Sequence, residues 1–291
     1  VHLVINLDKP KGITSQEAVT KVKRLFKAKK AGHAGTLDPI ATGVLLVCLN
    51  EATKITRFLS DLDKEYVATL KLGECTDTLD AEGRVTERVE DFSISEEEIE
   101  GALENFKGVI TQTPPMYSAL KVGGKPLYEL ARRGHVMERP SRAVRINEIS
   151  LLRYEPPFLE LRISCSKGTY IRSLGDDIGR TLGVGAHTTE LRRTKTGGFR
   201  AEDSARLEEL PGKPGAEHSV DSSLGHLKEV VITGGDLSRA LHGNPVPCDE
   251  PGLYSPGEYL RLKDPEGGLF AIGLASGERI MVERLLYIDK S

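Results

Sequence analysis

Apolar positions set the first divisions of the chain. Val1–Leu7 is apolar and β-branched, which predicts a strand. From Thr14 to Lys27 the spacing turns helical: Ala18, Val19, Val22, Leu25 and Phe26 recur on one face, and Thr14 with Glu17 makes a capping-box pair. A loop is expected from Ala31 to Ala41. A buried strand at Val44–Leu49 and a short helix around Ala52–Leu59 follow. Tyr66–Leu72 alternates with period two, as a half-buried strand does. Ser95–Phe106 reads as an acidic helix, with Ser95 as its cap and Glu98 three residues on.

Pro114–Pro115 breaks the pattern and opens a basic, glycine-containing segment. Within it, Pro126–Arg133 predicts a short helix that Gly134 stops. Val144–Tyr154 and Phe158–Cys165 read as adjacent strands joined at Pro156–Pro157, Thr169–Leu182 as a helix and His187–Thr194 as a strand. Strands with interspersed helices and no βαβ rhythm predict an α+β fold: a mixed, mostly antiparallel sheet flanked by helices. Leu210–Ala216, with two prolines and two glycines, reads as a connector. Beyond it, Tyr259–Leu262, Leu269–Leu274 and Ile280–Ile288 are short strand-like pieces between turns, the composition of a small β-barrel-like module.

The 291 residues, 38% hydrophobic and 29% charged, suit a soluble globular protein of one large domain or of a main domain with a small companion. No apolar run reaches the ~20 residues of a membrane span, and the opening strand does not read as a signal peptide. Cys48, Cys75, Cys165 and Cys248 lie far apart with no CxxC pair, which disfavours a disulfide framework and a structural zinc site. A cytoplasmic protein is expected.

The net charge of −3 hides an uneven distribution. Residues 1–60 carry ten Lys/Arg against four Asp/Glu, residues 121–153 eight against three, and residues 161–200 eight against three. Residues 61–110 carry five against fifteen, and residues 201–291 nine against sixteen. Such blocks fit one polyanion-binding face with a solubilising back; they fit solvated helix faces equally well.

Gly32–Gly43 (GHAGTLDPIATG) concentrates three glycines, a proline, a histidine and a carboxylate between a basic helix and a buried strand. Glycines there permit close backbone approach by a ligand, and Pro39 biases Asp38 toward an extended conformation. An Asp before Pro is also an ordinary turn initiator.

This stretch resembles the signature loop of the TruB-type pseudouridine synthases, G-H-x-G-x-L-D-P-x-A-x-G, at all eight fixed positions. At average residue usage the chance of such a match is roughly 10⁻⁹ to 10⁻¹⁰ per window. Leu7–Ser15 resembles the family's L-D-K-P-x-G-x-[ST]-S, and Asp63–Tyr66 its D-K-x-Y. Leu72–Gly73 with Thr76–Asp80 resembles L-G-x-x-T-D-T-x-D, Ser166–Arg172 resembles S-K-G-T-Y-[IV]-R, and Leu191–Thr194 resembles L-R-R-[ST]. Gln112–Ala119 and Lys121–Gly134 are similar to the RNA-gripping insertion of the bacterial tRNA enzymes.

The resemblance implies the pseudouridine synthase fold, with a catalytic domain over residues 1–228, an RNA-gripping insertion near 112–134, and a reduced PUA-like RNA-binding domain over 229–291. It implies isomerisation of the T-loop uridine at tRNA position 55, by base flipping and without metal or cofactor. Asp38 would be the nucleophile, attacking either C1′ or the base, in a site closed to water and beside a cation. Arg172 would be that cation. Tyr66 would stack on the base, worth ~1–3 kcal/mol, and its hydroxyl could assist proton removal from C5. Tyr170 and Leu191 would be further pocket walls. His33 would fill the space that the base leaves, or else be a buried structural histidine. Lys9 joins the substrate-binding set by supporting the loop from below, together with Pro10. Lys21, Lys23, Arg24, Lys29, Lys30, Lys121, Lys125, Arg132 and Arg133 are candidates for phosphate contacts. The partner would be the T-stem-loop of tRNA, bound by a monomer with no membrane and no obligate protein partner. The rival is a tRNA-binding folding chaperone in which isomerisation is secondary; a pure chaperone needs no set of Asp38, Tyr66 and Arg172. A synthase in a guide-RNA particle is disfavoured by the Gln112–Gly134 segment.

Overall fold

A computed structural model describes residues 1–116, 121–122, 125–126, 139–248, 250 and 252–287. Its main sheet has ten strands. In chain order the first are β1 (Leu3–Lys9), β2 (Ala31–Ala34), β3 (Ala41–Leu49) and β4 (Lys64–Leu72). A small hairpin, β5 (Glu74–Thr76) with β6 (Val85–Arg88), stands beside the sheet. Then come β7 (Gly108–Gln112), the short pair β8 (Lys121–Val122) and β9 (Lys125–Pro126), β10 (Arg142–Glu155) and β11 (Phe158–Cys165). The main sheet is completed by β12 (Ala186–Thr196), β13 (Phe199–Arg200) and β14 (Glu217–Ser219), in the order β14-β1-β3-β12-β4-β11-β10-β7, with β2 on β3 and β13 on β12. Its pairings among the described residues are antiparallel except β3 with β12. The α+β class is as the pattern predicts.

The apolar run in β3 has a direct cause. Leu45, Val47 and Leu49 face one apolar core, while Val44, Leu46 and Cys48 face a second core on the other side of the sheet. A strand buried on both faces shows no alternation. By contrast β4 alternates strictly between buried and half-buried residues, with Tyr66, Ala68, Leu70 and Leu72 inward. The parallel join of β3 to β12 requires Gly43: at φ +96°, a Cβ there would lie 2.2 Å from the Arg193 carbonyl oxygen.

Helix α1 (Ser15–Leu25) carries the capping box read from the sequence: Thr14 accepts from the Glu17 N–H, and Glu17 accepts from the Thr14 N–H. Ala18, Val19 and Val22 enter the first core, but Leu25 is 41% exposed because the helix ends there and Phe26 packs instead. The short helix read at Ala52–Leu59 is a 3₁₀ turn, Asn50–Ile55, running into α2 (Thr56–Ser60). Helix α3 (Glu96–Glu104) keeps the Ser95/Glu98 box, and α4 (Ile171–Thr181) lies over β12 and β4. The predicted helix at Pro126–Arg133 falls largely outside the described residues.

Two expectations need correction. Ala31–Ala34 is the strand β2, not loop: Asn50 at the end of β3 accepts from the Lys29 and Lys30 N–H groups and lays the segment along β3. That pairing is long-range and overrides the weak strand preference of Ala-Gly-His-Ala. Leu210–Ala216 lies across the sheet edge, where Leu210 and Ala216 are buried in the first core and the Asn6 N–H donates to the Ala216 carbonyl at 2.8 Å. The strand after it, β14, pairs with β1.

A second, five-stranded sheet is built from β15 (Lys228–Val231), β16 (Val246–Pro247), β17 (Tyr259–Lys263), β18 (Leu269–Ser276) and β19 (Arg279–Leu285), in the order β15-β17-β18-β19-β16. It has its own core around Leu260, Leu262, Phe270 and Ile280. Leu269, Ile272 and Leu286 reach the second core behind the main sheet, so the small domain packs against the back of β3.

Candidate active site

The loop between β2 and β3 carries Asp38, and the β1–α1 segment holds it from outside. Ser15, buried in the first turn of α1, accepts from the Leu37 N–H (2.8 Å) and donates to the Leu37 carbonyl (2.9 Å). The Gly12 N–H donates to the Pro39 carbonyl (2.8 Å), and the Ala41 N–H to that of Asp38 (3.0 Å). Below, the buried Lys9 ammonium donates to the Pro10 and Ile13 carbonyls at 2.9 and 2.7 Å, which fixes the turn that fixes the loop. Burial lowers the Lys9 pKa to about 8, with the Asp38 charge opposing the fall.

On the other side stands Arg172, in the first turn of α4. Its Nε donates to Asp38 Oδ2 at 2.8 Å; another guanidinium N–H donates to the Thr78 carbonyl at 2.8 Å and lies 3.3 Å from Asp80 Oδ2. The Arg172 side chain is 3% exposed and Asp80 6%, whereas Asp38 is 33% exposed and opens to solvent. A buried guanidinium is tolerable when its donors are satisfied and its charge is matched. Asp80 is itself held, accepting from the Thr78 hydroxyl (2.6 Å) and the Glu82 N–H (3.1 Å).

Asp38 and Arg172 line a cavity of about 290 Å³ together with Tyr66, Tyr170, Leu191 and Arg193. Five of the residues expected in the pocket therefore meet: Asp38, Tyr66, Tyr170, Arg172 and Leu191. Burial pushes the Tyr66 hydroxyl pKa up, and the Arg193 guanidinium beside it opposes the rise. Tyr170 is pinned by its backbone: its N–H donates to Gln112 Oε1 (3.0 Å), and Gln112 Nε2 donates back to its carbonyl (3.2 Å). The Arg142 guanidinium stacks 4.7 Å above the Tyr170 ring at the cavity rim.

Lys9 and His33 are not in the cavity lining. Lys9 acts from below, through the turn. His33 lies on β2 opposite Val47, and its Nδ1 is buried without a hydrogen-bond partner. Burial and the Arg193 charge lower its pKa, so the ring is neutral near pH 7. Lys21, Lys23, Arg24, Lys29 and Lys30 are exposed on α1 and the turn after it. The side chains of Lys121 and Lys125, and Arg132 and Arg133 altogether, fall outside the described residues.

Sequence reasoning missed Asp80, Lys64, Arg142 and Arg193. Arg193 is 1% exposed and donates to the Val44 (2.7 Å) and Gly35 (3.0 Å) carbonyls, tying the Asp38 loop to β12. Lys64 donates to the Ser60 and Leu62 carbonyls, and burial with the Arg193 charge lowers its pKa to about 8. The available signal was position: Asp80 lies in the T-D-T-L-D run and Arg193 in L-R-R-T. Which neighbour in each run turns inward is a matter of strand register and loop path.

With this geometry in place, comparison with known proteins is decisive. The family model "TruB family pseudouridylate synthase (N terminal domain)" matches residues 23–171, and "tRNA pseudouridylate synthase B C-terminal domain" matches residues 172–232. The chain belongs to the TruB family. The boundary between the two models falls inside the first turn of α4, next to Arg172, so it divides the sequence and not the site. Curated relatives named tRNA pseudouridine synthase B include that of Stutzerimonas stutzeri, 45% identical over 97% of this chain and 95% of its own length. That of Haemophilus influenzae is 53% identical over 71% of this chain and 66% of its own. Among solved structures, an H/ACA RNP bound to a substrate RNA containing 2′-deoxyuridine aligns with a TM-score of 0.76 and 28% identity, covering 99% of this chain and 86% of that one. A Cbf5-Nop10-Gar1 complex aligns with a TM-score of 0.76 and 30% identity, covering 97% and 84%. The chain is thus an enzyme of the pseudouridine synthase class, with that fold. Among the described residues no helix is long and apolar enough to cross a membrane.

Proposed function

We propose that the enzyme isomerises the uridine at position 55 in the T-loop of tRNA, with Asp38 as nucleophile on an extruded base. One observation carries the reading: the carboxylate of Asp38 is exposed to a nucleotide-sized cavity while its cation, Arg172, is buried behind it. The curated relatives' names give the substrate class.

In the reaction the C1′–N1 bond breaks, the base turns, the C5–C1′ bond forms, and the C5 proton leaves as N1 gains one. Asp38 supplies the electron pair, to C1′ or to the base, and Arg172 keeps the carboxylate oriented. Tyr66 and Tyr170 take the base between apolar walls completed by Leu191, which offsets the few kcal/mol of unstacking. The Tyr66 hydroxyl faces C5 as the group through which its proton departs. His33, with an unpartnered Nδ1 near the loop, takes the place that the base vacates. The basic face of α1 with Lys29 and Lys30, and the 121–134 segment, contact phosphates. The enzyme works as a cytoplasmic protein without an obligate protein partner, and residues 229–291 form the PUA-like RNA-binding domain.

Release of tritium from C5 of a labelled uridine in a T-stem-loop RNA tests this. Wild type should release it; Asp38→Asn should not, while its RNA affinity stays within a few-fold because phosphate contacts dominate binding. Tight binding without release by wild type would favour the chaperone reading. A large loss of affinity in Asp38→Asn would make Asp38 structural.

A further inference from the structure

Leu79 holds φ at +64°, in the left-handed region that a leucine enters only at a cost. Lys27 and Asn50 share that sign among the described non-glycine residues, but Lys27 closes the end of α1 and asparagine tolerates the conformation. Leu79 ends no helix. Its half-exposed side chain belongs to none of the three apolar cores, so packing does not hold it there.

Backbone bonds do. The Leu79 N–H donates to the Thr76 carbonyl (3.2 Å), the Thr188 N–H donates to the Leu79 carbonyl (3.1 Å), and the Ala81 N–H donates to the Thr188 carbonyl (2.9 Å). The Thr76 hydroxyl donates to the Asp80 carbonyl at 2.7 Å. The chain reverses between residues 78 and 80, and the two neighbours of Leu79 then present acceptors to the same Arg172 nitrogen. Strain that packing does not explain, flanked by two contacts to one buried side chain, marks a functional constraint.

We propose that Leu79 is a positioning residue: its left-handed backbone sets Thr78 and Asp80 on Arg172, and through Arg172 sets the orientation of Asp38. The catalytic part of this rests on the function proposed above. Leu79 does not line the cavity, so its effect reaches substrate only through Arg172. Backbone conformation, not side-chain identity, is what the position requires. Leu79→Ala and Leu79→Gly should therefore be tolerated, whereas the β-branched Leu79→Val should not.

Two measurements test it. In ¹⁵N-labelled protein without RNA, the Arg172 Nε–H resonance, assigned by its loss in Arg172→Lys, reports the bond to Asp38. Ala and Gly variants should keep its position and slow exchange; the Val variant should shift it and speed exchange by about tenfold or more. In single-turnover tritium release at saturating RNA, Leu79→Val should be slower by on the order of 10²-fold with RNA affinity within about twofold, and Ala and Gly variants should match wild type. A displaced resonance in the Ala or Gly variant, or a wild-type resonance and rate in a folded Val variant, overturns the proposal. If the Val variant fails to fold, Leu79→Thr, equally β-branched but suited to a half-exposed position, takes its place with the same expected and overturning results. A wild type that releases no tritium refutes the functional reading, and the resonance measurement then decides on Leu79 alone.

Discussion

Replacing Asp80 by Asn asks whether Arg172 needs both of its carboxylates. The substitution keeps the volume, and the amide oxygen can still accept from the Thr78 hydroxyl and the Glu82 N–H. The amide NH2 then takes the place of the oxygen 3.3 Å from the guanidinium, which removes one buried charge and sets donor against donor. Stripping a buried ion of its partner costs about 3–5 kcal/mol. Arg172 keeps Asp38 at 2.8 Å and the Thr78 carbonyl, so the loss should be smaller, about 2 kcal/mol, or about 4 °C in melting temperature for a chain of this size. With one of its anchors gone, the guanidinium no longer holds the Asp38 carboxylate in a single orientation, and single-turnover tritium release should slow by on the order of 10²-fold at unchanged RNA affinity. The diagnostic is a double-mutant cycle: in an Arg172→Lys background the Asp80→Asn change should cost little more, because the geometry it supported is already lost. A stability change below about 0.5 kcal/mol, or costs that simply add in the cycle, would refute the view of Asp38, Arg172 and Asp80 as one unit.

Lys9 and Lys64 give a pH signature. Both have pKa values lowered to about 8 in the folded protein, against about 10.4 when unfolded, so between those values the unfolded chain binds more protons at these two groups and their contribution to stability rises with pH. The rise is complete near the unfolded value and absent below about pH 8. The buried Cys48 and Cys165 thiols, pushed up to about 11, act in the opposite sense over the same range, so the lysine contribution is read as a difference. In urea midpoints from pH 7 to 10.5, Lys9→Met and Lys64→Met should each give a less positive slope against pH than wild type; an unchanged slope in both would contradict the assigned burial. Gly43→Ala should destabilise by at least about 3 kcal/mol, because its Cβ would lie 2.2 Å from the Arg193 carbonyl oxygen at a positive φ, and a melting point within 2 °C of wild type would contradict the register.

What the sequence disclosed was mainly local. The capping boxes at Thr14/Glu17 and Ser95/Glu98 form as read because all their partners lie within one turn. The alternation of β4 and the unbroken apolar run of β3 follow from burial on one face and on two. β2 was not legible, since its strand character comes from β3 and from the Asn50 side chain, about twenty residues away. The pairing of Asp38 with Arg172, 134 residues apart, came from family resemblance and not from periodicity. Arg192 and Arg193 show the limit most sharply. Adjacent in one strand, they point to opposite faces: Arg192 grips Asp8 with two bonds of 3.0 Å on one side, and Arg193 passes beneath the Asp38 loop on the other. No composition or motif distinguishes the two; the register of β12 against β3 does.

That register also explains why the motifs are scattered along the chain. A loop of a few residues cannot fix its own carboxylate, because short backbone segments have too few internal bonds to resist thermal motion. Here four separate elements converge on it. The β1–α1 turn bonds Leu37 and Pro39, α4 brings Arg172 to Asp38, the 76–81 loop completes the guanidinium's coordination, and β12 holds the Gly35 carbonyl. Three of these segments bond the loop directly and the 76–81 loop acts through Arg172, and two of the donors, Arg172 and Arg193, are buried ions with few alternative partners. Loss of any one anchor should therefore act on Asp38 more than on the fold. The two effects separate experimentally, because orientation is read by single-turnover rate and folding by the urea midpoint.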